Sequence, residues 1–269
     1  MLTKPSQEEP MRNIFAIAQK ELKVYFASPI AYVIIGLFAL LFGYFYSAIL
    51  SFFLRQSLQV GQPGFGGPTT IIPNVNQHLI RPLMSTATTI LLFVLPMVTM
   101  RSYSEEKRSG TIELLLTSPV SDWHIILGKF AGAMALYTMM LAVTFFHIGF
   151  LFLYGEPEWI PVAISYLGLL LLGGCVVSVG LLISSMTRNQ AVSGMATFAV
   201  VLLLWVINLM ADSTGPVTRE VITYLNIIEH FEDFSRGVLD TKHIVYYLSF
   251  IAFGLFLTAK SVDSARWRS

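Results

Sequence analysis

The chain has 269 residues, of which 55% are hydrophobic and only 12% are charged, and its mean hydropathy is +0.67. A soluble domain usually carries about a quarter charged residues, so this composition excludes an ordinary soluble protein and predicts a polytopic membrane protein. The formal net charge of +1 offers no basic excess for nucleic acid, and Cys175, the only cysteine, excludes an internal disulfide.

The chain opens on a polar stretch that is followed by an amphipathic one. Residues 1–10 contain two prolines and are predicted to be a disordered cytoplasmic extension. Residues 12–27 carry apolar side chains at helical spacing, which predicts a helix lying in the membrane surface. The polar face of this interfacial helix turns positive side chains toward anionic headgroups: Arg12, Lys20 and Lys23.

Six apolar runs follow, and each is long enough to cross a membrane. A helix rises ~1.5 Å per residue and the hydrocarbon core is ~30 Å thick. The predicted spans cover approximately residues 30–54, 83–100, 125–154, 160–184, 192–211 and 243–260. The predicted fold is therefore an all-α polytopic membrane protein with six transmembrane helices, forming one transmembrane domain over residues 11–269. The loop 55–82, rich in glycine and proline, receives no assignment.

Residues 101–129 form the longest polar interval between spans that keeps a helical pattern. Glu105, Glu106 and Glu113 give it an acidic side, and the leucines at 114–116 give it an apolar side. Pro119 lacks an amide hydrogen and disfavours helix in the residue before it, so the predicted surface helix ends there. Such a helix can transmit a displacement of a soluble partner to the membrane spans. The alternative is an interfacial loop without a partner.

Two further patterns concern helix ends and helix packing. Apolar residues at helical spacing within 212–242 predict one or two short outer amphipathic helices that end at Gly237. Small residues four apart predict close helix contacts in spans three and four, within the chain or with a second copy. These pairs are Gly128 with Gly132, Gly174 with Ser178, and Gly180 with Ser184.

The distribution of lysine and arginine predicts the orientation, because cytoplasmic loops carry the positive excess. Twelve of these residues lie on the side of the N-terminus: Lys4, Arg12, Lys20, Lys23, Arg101, Lys107, Arg108, Lys129, Arg188, Lys260, Arg266 and Arg268. Five lie on the other side: Arg55, Arg81, Arg219, Arg236 and Lys242. Both termini and the 101–129 stretch are therefore predicted to be cytoplasmic, in a multi-pass protein of the inner membrane.

The signatures of an independent energy supply are missing from the sequence. Secondary transporters generally need ionisable groups within their spans, and no Asp, Glu, Lys or Arg lies in the middle of a predicted span. His147 is expected to be a packed histidine bonded to a neighbouring helix. A phosphate-binding loop needs Ser or Thr after Gly-Lys, but Phe130 follows Gly128 and Lys129. The chain is therefore predicted not to be an enzyme.

Catalytic, cofactor and metal sites are predicted to be absent from the chain. His78, His230 and His243 fall on the predicted outer side, but no histidine pair stands at ligand spacing. Scattered methionines are ordinary apolar filler. No grouping of serine, histidine and acid indicates a hydrolase.

Three motifs in order resemble the type-2 ABC exporter permeases, the ABC-2 family. SEEKRSGTIELLLTSPVSDWHIILGK, residues 104–129, is similar to the family's cytoplasmic loop between spans two and three. SSMTRNQAVSG at 184–194 resembles its inner turn before span five, and EHFEDFSRGVLDTKHIVYYLS at 229–249 its outer segment before span six. The first stretch is close to the gliding-motility branch and to the copper-maturation permease of nitrous-oxide reductase.

This resemblance implies that the 101–129 stretch contains a coupling helix that docks on a separate ATPase, which the interfacial helix also touches. The residues assigned to coupling are Glu105, Glu106, Lys107, Arg108, Gly110, Thr111, Glu113, Leu114, Leu115 and Pro119. The implied partners are an ABC ATPase dimer that binds ATP and Mg, a second copy or a related permease, and a periplasmic or membrane auxiliary subunit.

The implied function is the membrane-spanning permease subunit of an ATP-driven ABC-2 exporter. Two alternatives remain open at this point. One is a mechanotransmission subunit that drives a periplasmic partner without moving a substrate. The other is a metal-maturation permease that serves a copper site. No motif assigns the transported substrate.

Overall fold

A computed structural model describes residues 8–60, 74–112, 120–207 and 215–266. Within this part the chain is helical, with short turns between the helices. A π-helical turn, Asn76–Ile80, leads into the third helix. The helices are α1 (Glu8–Ala27), α2 (Pro29–Val60), α3 (Arg81–Thr99), α4 (Ser104–Ser109), α5 (Asp122–Tyr154), α6 (Trp159–Met186), α7 (Gln190–Val206), α8 (Pro216–Leu225), α9 (Glu229–Ser235) and α10 (Thr241–Arg266).

Five stretches of the described chain are long and apolar enough to cross a membrane. They are Pro29–Leu58, Asn76–Ser109, Asp122–Tyr154, Trp159–Met186 and Thr241–Ser264. They overlap the first four predicted spans and the sixth. The predicted fifth span, 192–211, overlaps α7, which is apolar but has only 17 residues. Residues 208–211 of that predicted span lie outside the described part, so the structure supports five of the six spans, and the fifth, 192–211, stays a prediction.

Helix α6 is the central helix of the bundle. In the most apolar 18-residue stretch of α6, 72% of the residues are buried. The corresponding fraction for α2, at the periphery, is 17%. Helices α3, α5, α7, α9 and α10 all pack against α6. Helix α4 meets the C-terminal end of α6, whereas α9 packs near its N-terminal end. We call these two ends of the bundle the α4 end and the α9 end.

The predicted small-residue pairs lie at close contacts within this one chain. A Cβ on Gly128 would lie 2.6 Å from Ile17 Cβ, and one on Gly132 would lie 2.7 Å from Glu21 Cβ. Only glycine therefore lets α1 lie this close to the first turns of α5. A Cβ on Gly180 would lie 2.0 Å from Thr99 Oγ1, so α6 and α3 are in similarly close contact.

Candidate functional site

Lys129, in the second turn of α5, is a buried cation at the α4 end. Its side chain is 1% exposed, and its Nζ lies 2.9 Å from Glu21 Oε1 of α1 and 2.9 Å from Glu106 Oε1 of α4. It also donates a hydrogen bond of 2.7 Å to the carbonyl oxygen of Ser102. A buried ammonium group costs several kcal/mol unless it is paired, and here two carboxylates and a carbonyl surround it.

Lys20 of α1 completes this group of charges. Its Nζ lies 3.0 Å from Glu106 Oε1 and 3.2 Å from Glu21 Oε1. Burial of Lys20 lowers its pKa, but the two neighbouring carboxylates outweigh this effect, and the pKa is raised overall. Two lysines therefore balance two glutamates in one network, the Lys129 cluster: Lys129, Lys20, Glu21 and Glu106. The cluster joins α1, α4 and α5.

A second set of contacts joins the end of α3 to the turn between α1 and α2. Arg101 makes a bidentate pair with Glu105, with distances of 2.8 and 3.0 Å. The same guanidinium group donates to Ser28 Oγ at 3.2 Å. Tyr25 of α1 donates its hydroxyl hydrogen to the carbonyl oxygen of Val98 at 3.0 Å. Glu105 is thus paired with Arg101, four residues earlier in the chain, and is adjacent in sequence to Glu106 of the Lys129 cluster.

Helix α4 is also attached to the C-terminal end of α6. The Ser184 hydroxyl oxygen accepts hydrogen bonds from the backbone amides of Tyr103 and Ser104 at 3.0 and 3.1 Å. Lys107 donates to the carbonyl oxygen of Ser185. Ser185 Oγ in turn lies 2.8 Å from Ser261 Oγ of α10. A displacement of α4 would therefore act on α6 directly and on α10 through it.

The helix predicted over this stretch is interrupted at Gly110 in the structure. Helix α4 ends at Ser109, because Gly110 has a left-handed φ of 74°, a common helix terminator. One unbroken helix up to Pro119 is therefore not formed, and the predicted helix end at Pro119 itself lies outside the described part. Arg108, Gly110 and Thr111 are exposed. Four of the residues assigned to coupling lie outside the described part: Glu113, Leu114, Leu115 and Pro119.

The charged face predicted for the interfacial helix divides into two parts. Arg12 and Lys23 are exposed, as expected for residues that meet headgroups or a partner. Lys20 instead turns toward the Lys129 cluster. Glu21 and Lys129 were not among the predicted functional residues. The sequence contained one indication of this contact. Glu21 interrupts the apolar face of the helix formed by Ile17, Ala18, Leu22 and Tyr25, and an acid on such a face needs a buried partner.

The structure adds a contact between two histidines and departs from the expectation for His147. His230 and His243 are brought together, with their Nδ1 atoms 2.7 Å apart, although no ligand spacing links them in the sequence. His147 packs edge-on against Phe42 and Tyr46 of α2, but its Nδ1 makes no hydrogen bond among the described residues. The described part contains no group of three or more histidine, cysteine or acidic residues that could hold a metal ion.

Comparison of the sequence with known protein families identifies one that matches most of the chain. A family model described as ABC-2 family transporter protein matches residues 15–260, which include the Lys129 cluster, α4, His230 and His243. The chain belongs to the ABC-2 transporter family. The match covers every helix of the described part, in whole or in part. As an ABC-2 protein it is a multi-pass membrane protein of the permease type.

Two curated relatives come from Escherichia coli. The "Probable multidrug ABC transporter permease YbhR" of strain K12 is 28% identical over 193 residues, which is 68% of this chain and 51% of that protein. YbhR of strain O157:H7 gives the same values. The chain thus spans about half the length of the curated relatives it matches. Neither name refers to gliding motility or copper maturation, so that finer placement stays a prediction.

Proposed function

We propose that this chain is the permease subunit of an ATP-driven ABC-2 exporter, and that α4 receives the motion of a separate ATPase. The observation that carries the proposal is the attachment of α4 to three other helices. Glu106 joins it to α1 and α5 through Lys20 and Lys129, and Lys107 joins it to α6. One short helix at the α4 end therefore acts on three elements of the bundle.

The cluster divides the predicted coupling residues into two roles. Glu106 and Lys107 face inward and would transmit the displacement. Arg108, Gly110 and Thr111 are exposed and would meet the ATPase, together with Arg12 and Lys23 of α1. The ATPase dimer would bind ATP and Mg, and this chain would contribute no catalytic group. Charge pairs at the rim of such an interface are worth little singly, whereas the buried cluster is costly to disrupt.

The proposed setting is the cytoplasmic membrane, with both termini and the α4 end in the cytoplasm. The twelve-to-five distribution of lysine and arginine supports this orientation. A second permease, identical or related, would complete the transporter. The name of YbhR, a probable multidrug permease, makes organic drugs the first class of cargo to test for this chain.

Co-purification with the cognate ATPase tests the docking half of the proposal. Arg108→Glu should weaken the association, because it reverses an exposed charge at the end of α4. The matched control is Arg55→Glu, which reverses an exposed charge at the opposite end of the bundle. Equal co-purification of both variants and the parent chain would show that the α4 surface does not contact the ATPase.

The cargo half needs a separate measurement on the reconstituted complex. Addition of a panel of organic drugs should stimulate ATP hydrolysis if such compounds are exported. Hydrolysis that responds to a periplasmic protein instead, with no compound crossing the membrane, would favour the mechanotransmission alternative. Hydrolysis by the isolated chain, free of ATPase, would contradict the permease assignment.

A further inference from the structure

At the α9 end two buried histidines face each other directly. His230 of α9 and His243 in the first turn of α10 are each 6% exposed, and their Nδ1 atoms are 2.7 Å apart. Their ring centroids are 4.9 Å apart, close to the largest separation that this nitrogen contact allows. The lone-pair direction of each Nδ1 therefore points at the other. We call these two residues the histidine pair.

The second ring nitrogen of each histidine, Nε2, also lies within hydrogen-bonding distance of an acceptor. His230 Nε2 lies 2.9 Å from the carbonyl oxygen of Tyr224, which can only accept. His243 Nε2 lies 2.8 Å from Asp233 Oδ2. With Asp233 ionised, both Nε2 atoms must carry hydrogen, and a third hydrogen is needed between the Nδ1 atoms. Two neutral imidazoles carry only two such hydrogens.

We propose that Asp233, His243 and His230 form a proton-binding site, in which one proton between the two Nδ1 atoms fastens α9 to the first turn of α10. The positive charge is balanced by the Asp233 carboxylate. Loss of this proton would leave two Nδ1 lone pairs facing each other, a lone pair of His243 facing Asp233, or a lone pair of His230 facing the Tyr224 carbonyl oxygen. Each arrangement breaks one of the three hydrogen bonds and weakens the contacts around the pair.

Other charged groups surround the site, and those nearest to it in the chain have partners of their own. Lys242 pairs with Asp240 at 3.0 Å, and Arg236 lies 2.5 Å from Glu232 and 3.9 Å from Asp233. Tyr246 stacks on His230 with a centroid distance of 3.7 Å, and the rings of Tyr224 and Tyr247 also contact His230. A cavity of about 630 Å³ gives access to the pair, and its other charged lining residues are Arg219, Glu220 and Glu229.

The direction of the pH response follows from the proton count. Burial, followed by the charges of His243 and Lys242, lowers the pKa of His230 against the opposing effect of the Tyr224 carbonyl and Asp233. Of the two rings, His230 is therefore the one on which burial more strongly disfavours a second hydrogen. The contact holds while the shared proton is bound, and it is lost as the pH rises past the point where that proton leaves.

This site lies where the short helix α9 meets the core helices α6 and α10. Helix α9 is fixed to α6 by the Ser165 hydroxyl, which donates to the carbonyl oxygen of Phe234 at 3.0 Å. The histidine pair adds the connection from α9 to α10. The inference does not depend on the proposed ATPase coupling, because it concerns the opposite end of the bundle.

Nitrogen NMR of the full chain, labelled with ¹⁵N-histidine, tests the proposal directly. His230→Gln and His243→Gln identify the signals, and His78→Gln is the matched control outside the pair. Over about pH 5 to about pH 9, which brackets histidine titration, the pair should carry hydrogen on both Nε2 atoms and one hydrogen between the two Nδ1 atoms while the shared proton is bound. Both should change together as the shared proton leaves. Independent titration of two neutral rings would overturn the proposal.

Two further measurements distinguish a shared proton from a structural hydrogen bond that does not titrate and from a bound metal ion. The Tm of the parent chain should fall by about 2–4 °C as the shared proton is lost, the shift expected for one hydrogen bond in a chain of this size. Asp233→Asn should abolish this pH dependence, while His78→Gln keeps it, and an unchanged dependence in Asp233→Asn would contradict the site. Stoichiometric zinc or copper in the purified chain, lost in the double histidine variant, would show a metal in place of the proton.

Discussion

Lys129 and Glu106 meet at 2.9 Å between the start of α5 and the short helix α4, and Lys129 is almost fully buried there. The Glu106 carboxylate oxygen that pairs with Lys129 also pairs with Lys20 of α1. One oxygen atom of Glu106 is therefore the point at which three helices are joined. An interaction of this kind is costly to break and is well placed to carry a displacement from one helix to the others.

The first prediction concerns the contribution of Lys129 to stability. Lys129→Met should destabilise the chain by about 3–5 kcal/mol, because it leaves buried carboxylates short of a partner. Glu21→Met combined with Lys129→Met should cost less than the sum of the single changes. Thermal unfolding in detergent measures these effects. Lys260→Met, at an exposed lysine, is the control, and a Lys129→Met variant no less stable than this control would contradict the role of the cluster.

The second prediction concerns the close contact between α1 and α5. Gly132→Ala places a methyl group 2.7 Å from Glu21 Cβ, so α1 must shift away. Overpacking of this kind typically costs about 1–3 kcal/mol. Gly149→Ala in the same helix is the matched control, because nothing lies within 4 Å of the added methyl group. Protease sensitivity of α1 should rise in Gly132→Ala alone, and equal sensitivity of the two variants would count against the contact.

The third prediction concerns orientation. With Cys175 replaced by alanine, a cysteine at Gly215 should react with an impermeant thiol reagent in intact cells, and a cysteine at Ser109 should not. The reason is that the α4 end is proposed to be cytoplasmic and the opposite end external. Both positions are exposed in the structure, so accessibility alone does not separate them. Labelling at position 109 from outside the cell would reverse the orientation and remove the coupling proposal with it.

The parts of this structure that the sequence predicted are those governed by local patterns. Long apolar runs indicate membrane-crossing helices because the bilayer thickness sets their length. Glycines four apart, such as Gly128 and Gly132, indicate close packing wherever the partner helix lies. The end of α4 also had a local signal in Gly110, but the helix end was predicted at Pro119 instead.

The contacts that carry the proposals depend on how distant helices cross. The sequence places Glu21 on an apolar face, but only the packing of α1 along α5 brings it to Lys129. Similarly, His230 and His243 meet because a turn after α9 returns the chain to the start of α10. Neither pair follows from residue spacing, since each requires two separate elements to be oriented together. A buried acid on an apolar face was the one signal that pointed to a missing partner.

Nucleotide-dependent labelling of the opposite end of the bundle tests the central claim most directly. Thr88 lines a cavity of about 430 Å³ at the α9 end and is 1% exposed, so a cysteine there reports opening of that end. In a chain with Cys175 replaced by alanine and bound to its ATPase, ATP should change the labelling rate at position 88. Glu106→Gln keeps the size of the side chain but removes its charge, so it should abolish this change while the ATPase still co-purifies.

The control for this measurement is the double change Glu156→Gln with Glu158→Gln, two exposed acids at the opposite end, which should leave the ATP response intact. Loss of the response in Glu106→Gln alone is the result expected if α4 transmits ATPase motion through the Lys129 cluster. An ATP response in Glu106→Gln as large as in the control would contradict that account.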